Sequence, residues 1–404
     1  MNPLVVAIKK HVDRVLFTLA LLILAITLVP RLGGKRVIAM AAAPTLVFTQ
    51  WWQEKMDEGV LESLIKEFEA LHPDIRIALE YQSYESMYAS LMDGSAEEGG
   101  GDILALDSLW AAALAEKGAL AEESYPLLTY VNPLFYNIGI LRAAGFSGPP
   151  KTREEFLSAA RAVKKLGRGH YGVALAAGTD TFSLLRRDIY PWIWAAGKPL
   201  IAEGKPRLTD RSFVETLEFL GTLNREELLV PGSFSWDEDQ QREAFIEGRT
   251  AFMIAPVMEI EALKHSMGGG FGVSAIPVPG GYASRPVFGA AGWNLGISSR
   301  SEYREEAKTF IAFLLEQSGR IAVSAHAVPG NGVSLAAGED PLYTKVSDLC
   351  VSAEFLREFE GLPAVGDLEN RFRFFMAELL QGKLGAAAAA EQIQKSWETL
   401  LARR

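Results

Sequence analysis

Cysteine is almost absent from this 404-residue chain. Cys350 is the only one, so an intrachain disulfide and any site built from several thiolates are excluded. Histidine is scarce as well. The five (His11, His72, His170, His265 and His326) are scattered, and none falls in an H-E-x-x-H pair. The chain lacks a G-x-x-x-x-G-K-[ST] phosphate loop and a G-x-S-x-G nucleophile turn. The glycine-rich stretch Gly268–Gly272 has neither the preceding strand nor the following helix that a dinucleotide loop needs. No cofactor and no metal are implied. Positive charge is also short: the net charge is −10, and residues 1–43 carry six Lys/Arg against one acid, which leaves −15 on the remainder. Such a body argues against nucleic acid as a partner, since phosphate contacts need clustered Lys and Arg.

What is present describes a large globular protein. Hydrophobic residues make up 49% and charged residues 22%, a folded composition. A chain of this length exceeds one ordinary core, so two lobes are expected. Val15 to Val29 is an uninterrupted apolar run, flanked by Lys9, Lys10 and Arg14 before it and by Arg31, Lys35 and Arg36 after it. Its 15 residues would span roughly 23 Å as a helix, short of a hydrocarbon core of roughly 30 Å. The run reads as an uncleaved anchor or as the apolar part of a signal peptide, with Ala39-Met-Ala41 as a distant small-x-small cleavage pattern. Residues 1–43 are therefore a signal or membrane anchor, with membrane contact through residues 15–29. No cysteine stands just after the run, so lipid attachment at an N-terminal cysteine is not expected.

Periodicity sketches the body. Leu46–Thr49 reads as a strand, Leu61, Leu64, Ile65 and Phe68 as one helix face, and Ile75, Ile77 and Leu79 as a second strand. His72-Pro73-Asp74 stops the helix between them, because Pro cannot continue it. Ile103–Leu106 and Tyr171–Ala174 are further strands. Tyr84, Met87, Tyr88 and Leu91 share a helix face, and Asp93–Gly101 is a polar loop. Thr152-Arg-Glu-Glu155 is a capping box ahead of Phe156, Ala159, Ala160 and Val163. Alternating strands and helices place the chain in the α/β class.

Six segments in order carry a resemblance: Leu46-Val-Phe-Thr-Gln-Trp-Trp52, Phe68-Glu-Ala-Leu-His-Pro-Asp-Ile75, Asp102-Ile-Leu-Ala-Leu-Asp107, Pro150-Lys-Thr-Arg-Glu-Glu-Phe156, Ala244-Phe-Ile-Glu-Gly-Arg-Thr-Ala-Phe-Met253 and Gly292-Trp-Asn-Leu-Gly-Ile297. Together they resemble family 1 extracellular solute-binding proteins, the carbohydrate-binding proteins of ABC importers that are similar to maltose-binding protein. The resemblance implies a two-lobe periplasmic-binding-protein fold of type II, with the ligand cleft between lobes and hinge crossovers near Tyr130, Pro277 and Val323. By it, residues 44–130 and 277–322 form lobe 1, and residues 131–276 and 323–404 form lobe 2. It further implies a binding subunit rather than an enzyme, an extracytoplasmic monomer that gives its sugar to ABC permease subunits. Between Gly118-Ala-Leu120 and Phe135-Tyr-Asn137 the chain is shorter than the family pattern, which alters one cleft edge.

A sugar offers apolar C–H faces and a rim of hydroxyls, so its site needs flat aromatics and fixed polar groups. Trp51 and Trp52, with Gln53, follow the first strand at the sheet edge where open α/β folds bind ligands. Asp107 and Trp110 follow the third strand; Asp107 either bonds a hydroxyl or caps the next helix. The resemblance places Trp192 or Trp194 on the cleft from lobe 2, alternation putting both on one side, and Trp293 with Asn294 on it from lobe 1. Tyr84 and Trp236 complete the candidates. Tyr136-Asn137 matches a family pair expected to hold hinge backbone. For each aromatic the competing reading is core packing. Three rival functions stay open: a binding protein for a polyamine or another non-sugar solute, a glycosidase built on two of the 50 Asp/Glu, and an anchored receptor without transport.

Overall fold

A computed structural model of the chain describes residues 43–92, 100–176, 184–281, 286–289, 292–330, 335, 340–356, 358–359, 362 and 365–402. Thr45–Arg404 is one compact unit. The apolar run 15–29 and most of the polar loop 93–101 lie outside the described residues. Among the described residues no helix is long and apolar enough to cross a membrane.

Strand β1 (Thr45–Gln50), the helix Val60–Leu71 and strand β2 (Arg76–Tyr81) build the β-α-β unit that the periodicity predicts. β1 and β2 run parallel, from Thr45 beside Arg76 to Gln50 beside Tyr81. The helix buries Leu61, Leu64, Ile65 and Phe68, and Phe68 packs edge-on against Phe310, 4.8 Å between ring centres. It ends where the His72 N–H donates to the Phe68 carbonyl at 2.8 Å, just ahead of Pro73. Strand β3 (Ile103–Asp107) lies parallel on the other side of β1. The Asp102 carboxylate fixes its start, accepting from the Val47 N–H at 2.9 Å and the Ser301 hydroxyl at 2.7 Å.

Strand β4 (Tyr125–Thr129) is followed within a few residues by β5 (Leu134–Asn137), which belongs to a different sheet. Next come β6 (Tyr171–Val173), a small hairpin of β7 (Ile201–Ala202) and β8 (Lys205–Pro206), β9 (Thr250–Ile254) and β10 (Phe271–Ser274). The chain continues through β11 (Val287–Gly289), β12 (Gly292–Ile297), β13 (Val328–Pro329) and β14 (Glu354–Leu356). The first sheet has the order β13-β4-β12-β3-β1-β2 and the second β10-β5-β9-β6, while β11 pairs with β14. β12 runs antiparallel between β3 and β4. The chain thus passes from first sheet to second between Thr129 and Leu134, and back between Ser274 and Gly292. A crossing near Val323, expected from the resemblance, does not occur there. Val323 sits in the helix Ser318–Ser324, and β13 beyond it pairs with β4, so the chain stays with the first sheet to Pro329.

The second sheet is covered by helices around Phe156, whose ring lies 4.6 Å from Phe252 and 5.0 Å from Trp192. The Thr152 capping box is formed: the Thr152 hydroxyl accepts from the Glu155 N–H at 3.2 Å, and the Glu155 carboxylate accepts from the Thr152 N–H at 3.4 Å. Cys350 is buried, and burial pushes its thiol up to about 12, so it stays an unreactive thiol in the folded chain.

One local expectation is corrected. Tyr190–Trp194 is a helix, not an alternating strand, entered through a π-helical turn at Leu184–Ile189 with Pro191 in its first turn. Two positions along a helix are about 200° apart, so Trp192 and Trp194 face opposite ways.

Candidate functional site

The parallel strands β1 and β3 end side by side, and β12 returns antiparallel so that Trp293 stands beside Asp107 in the ladder. This edge gathers four tryptophans. Trp51, in the turn after β1, is the hub: its ring lies 4.8 Å from Tyr84, 5.5 Å from Trp293 and 6.1 Å from Trp110. Its indole N–H donates to the Ala105 carbonyl at 3.1 Å, which fixes the ring. Trp52 stacks on Trp293 with centroids 4.7 Å apart and planes within 8°. Tyr130, the first residue past β4, meets Trp293 edge-on at 5.7 Å.

The four tryptophans are buried and form a rigid floor. Above it Tyr84 is 37% and Tyr88 46% exposed, each ring against Trp110, at 4.6 and 5.5 Å. The Tyr84 hydroxyl donates to Asp107 Oδ2 at 3.3 Å. Burial, then the Asp107 charge, push that phenol up to about 12, so it remains a neutral donor. The helix Tyr84–Met92 thus buries Met87 and Leu91 and leaves its two tyrosines open.

Arg186, in the π-helical turn Leu184–Ile189, is a charged group that feels the Asp107 carboxylate. Its guanidinium pairs with Glu369, Nε to Oε1 at 2.8 Å. Desolvation opposes its charge, but Glu369 and the more distant Tyr190 and Asp107 outweigh that and hold its pKa above the ordinary value. The Asn132 side-chain amide, on the crossover out of β4, donates to the Arg186 carbonyl at 3.2 Å. Two buried donors in the floor, Gln50 Nε2 and Trp52 Nε1, have no hydrogen-bond partner among the described residues.

Of the residues singled out in the sequence, Trp51, Trp52, Tyr84, Asp107, Trp110 and Trp293 come together here. The others do not. Asn294 points away, held by the Ser124 hydroxyl at 2.8 Å. Gln53 is exposed, on a shallow depression with Met56, Asp57 and Leu79. Trp192 is fully buried against Phe156 and Phe219. Trp194 is buried too, donating to Glu358 Oε1 at 2.6 Å. Trp236 lies with Tyr171, Ala174 and Val230, under Arg249. Asp237 beside it caps the helix Glu238–Ile246, and Asn137 caps the helix Ile138–Ala143 in the same way. Tyr88, Tyr130 and Arg186 were missed as site residues. Tyr88 carried a signal, its spacing of one helical turn from Tyr84; Arg186 carried none.

Comparison with known proteins agrees with this architecture. The profile of the bacterial extracellular solute-binding protein family matches residues 49–321. A probable ABC transporter-binding protein of Deinococcus radiodurans is 26% identical over 214 residues, which cover 50% of this chain and 49% of that protein, so the chain spans about half the length of this relative. The sugar-binding protein MalE from Xanthomonas citri superposes with a TM-score of 0.76 at 18% identity, covering 89% of this chain and 98% of that one. The cyclic alpha-maltosyl-1,6-maltose binding protein from Arthrobacter globiformis gives 0.73 at 14% identity, covering 89% of this chain and 100% of that one. The fold is the two-lobe type II periplasmic-binding-protein fold, with its cleft between the lobes.

Proposed function

This chain belongs to the bacterial extracellular solute-binding protein family, and we propose that it is the binding subunit of an ABC importer, holding a carbohydrate in the cleft and delivering it to a membrane permease. The observation that carries the reading is the open pair Tyr84 and Tyr88 beside Asp107, on a floor of four buried tryptophans. Exposed rings suit the C–H faces of a pyranose, and a fixed carboxylate accepts from two hydroxyls. Lobe 1 is built on the first sheet, including β13, and lobe 2 on the second. A ligand that touches the tyrosines and the Arg186 side together is bound best when the lobes are closed, which gives the permease a closed form to recognise. The chain works outside the cytoplasmic membrane, tethered or exported by residues 1–43, and leaves its ligand chemically unchanged.

Calorimetric titration of the chain with mono- and oligosaccharides, and with spermidine, tests the reading. A sugar is expected to bind, and Tyr84→Ala or Asp107→Asn to weaken it by about 10- to 100-fold. Both side chains are partly exposed, so the melting temperature without ligand should move little. Spermidine binding with no sugar binding would overturn the carbohydrate reading; sugar binding indifferent to both substitutions would overturn the site.

A further inference from the structure

We propose that the crossover from the second sheet back to the first carries a separate binding site, one for a small apolar carboxylate. A cavity of about 380 Å³ opens there. Ile276 and Val278, just past β10, form one wall; Val287 and Phe288 of β11 form another, and Leu349 of the helix Pro341–Val351 closes the side. The volume is in the range of small-molecule sites, roughly 300–1,000 Å³.

Among the described residues the charges lining this cavity have one sign. Lys151 and Lys345 line it, and among the described residues no Asp or Glu does. Four other lysines of the chain, Lys164, Lys264, Lys308 and Lys383, each pair with a carboxylate. Lys345 has no such partner among the described residues; its ammonium lies 5.9 Å from the face of the Tyr136 ring. Desolvation by the surrounding apolar atoms draws its pKa below the ordinary lysine value. An anion beside it would reverse that cost.

The two features together select the ligand. Apolar walls need hydrocarbon, and the two lysines on the lining need a negative head. A sugar would strand its hydroxyls on Ile276, Val278 and Phe288, a cation would meet two like charges, and inorganic phosphate would leave the walls uncovered. A medium-chain fatty acid or an arylalkanoate satisfies both. The walls belong to the segments that join the two sheets, so an occupant there resists any change of angle between them. Affinity at the cleft and at this site would then be linked, equally in both directions. That linkage rests on the cleft reading; the carboxylate site itself does not.

The full chain titrated calorimetrically with sodium octanoate, and with 1-octanol as the uncharged control, decides the matter. One saturable octanoate site is expected, with octanol roughly tenfold weaker or more, since a charge-assisted contact contributes about that factor. Lys151→Met with Lys345→Met should weaken octanoate by a similar factor. Leu349→Phe, which narrows the cavity and leaves both lysines in place, should weaken octanoate and octanol alike, and melting curves of each unliganded variant confirm that it is folded. Absence of saturable octanoate binding, equal affinity for octanol, or indifference to both variants overturns the site. Octanoate binding in a chain that binds no sugar would sink the cleft reading alone.

Discussion

Gly292→Ala is expected to cost about 4 kcal/mol or more and to remove ligand binding with it. A Cβ built at Gly292 lies 2.0 Å from the Leu128 carbonyl oxygen and 3.1 Å from the Thr129 Cα. Both are backbone atoms of β4, the strand paired with β12. No rotamer change relieves the clash, so the ladder must open at the strand that holds Trp293 beneath the site. Gly296→Ala in the same strand is the control. There the added carbon meets Leu106 Cδ1 at 2.7 Å, the far end of a flexible side chain, so about 1–3 kcal/mol is expected. Urea unfolding followed by tryptophan fluorescence measures both. Equal losses at the two positions would mean that β4 and β12 are not held so closely.

Arg187→Ala should be the most damaging loss of a charged group, about 3–5 kcal/mol near neutral pH. Arg187 and Asp188 are buried, and Arg187 Nε meets Asp188 Oδ2 at 3.1 Å. Gln241 completes the network, its amide donating to Asp188 Oδ1 at 2.7 Å and its oxygen accepting from Arg187 at 3.0 Å. Without Arg187 the carboxylate keeps one donor from this group, which cannot balance a buried charge. The pH dependence has a definite sign. Burial already raises the Asp188 pKa, with Arg187 the largest opposing influence. A carboxyl with a raised pKa contributes fully below its unfolded value and loses that contribution as pH climbs through the folded one. Removing Arg187 raises it further, so the deficit of the variant should be small near pH 4 and widen toward pH 7. Unfolding free energies of both proteins at the two pH values test this; a deficit independent of pH would show that the loss is packing alone.

Glu358 offers a gentler titration. Buried beneath Trp194, it accepts from that indole at 2.6 Å and from the Ile201 N–H at 2.8 Å. Burial raises its carboxyl to about 7, more than these donors lower it. Its contribution is therefore complete below about pH 4.5 and lost as pH rises through 7. Glu358→Gln should lack that step, and the difference between the two melting-temperature profiles over pH 5–8 reads it out.

Much of the first sheet was legible in the sequence because it is made locally. The run Leu61, Leu64, Ile65, Phe68 and the stop at His72-Pro73 need only helical spacing and the geometry of proline. The capping box at Thr152 is likewise complete within four residues. Tyr190–Trp194 was misread because two tryptophans two apart fit a strand as readily as a helix, and only the packing of Trp192 on Phe156 and Phe219 decides between them. The crossing near Val323 came from the resemblance; the two residues of β13, which pair with β4, give no periodic signal of their own.

At the site the division follows the same line. Residue types and their places after strands were enough to single out Trp51, Trp52, Asp107 and Trp110, since a strand end at a sheet edge is a local fact, whereas Trp293, inside β12, came from the resemblance alone. Which rings lie open was not. Trp52 and Trp293 stack on each other and are buried, whereas Tyr84 and Tyr88 face outward, a result of which neighbours a ring finds. The meeting of Asn132 with the Arg186 carbonyl depends on two segments far apart in the chain. The sequence by itself determined the α/β class, the acidic body, the lack of disulfides and the aromatic supply. Tertiary structure alone decided which aromatics became floor and which became surface, because burial is a property of the assembled neighbours and not of the residue.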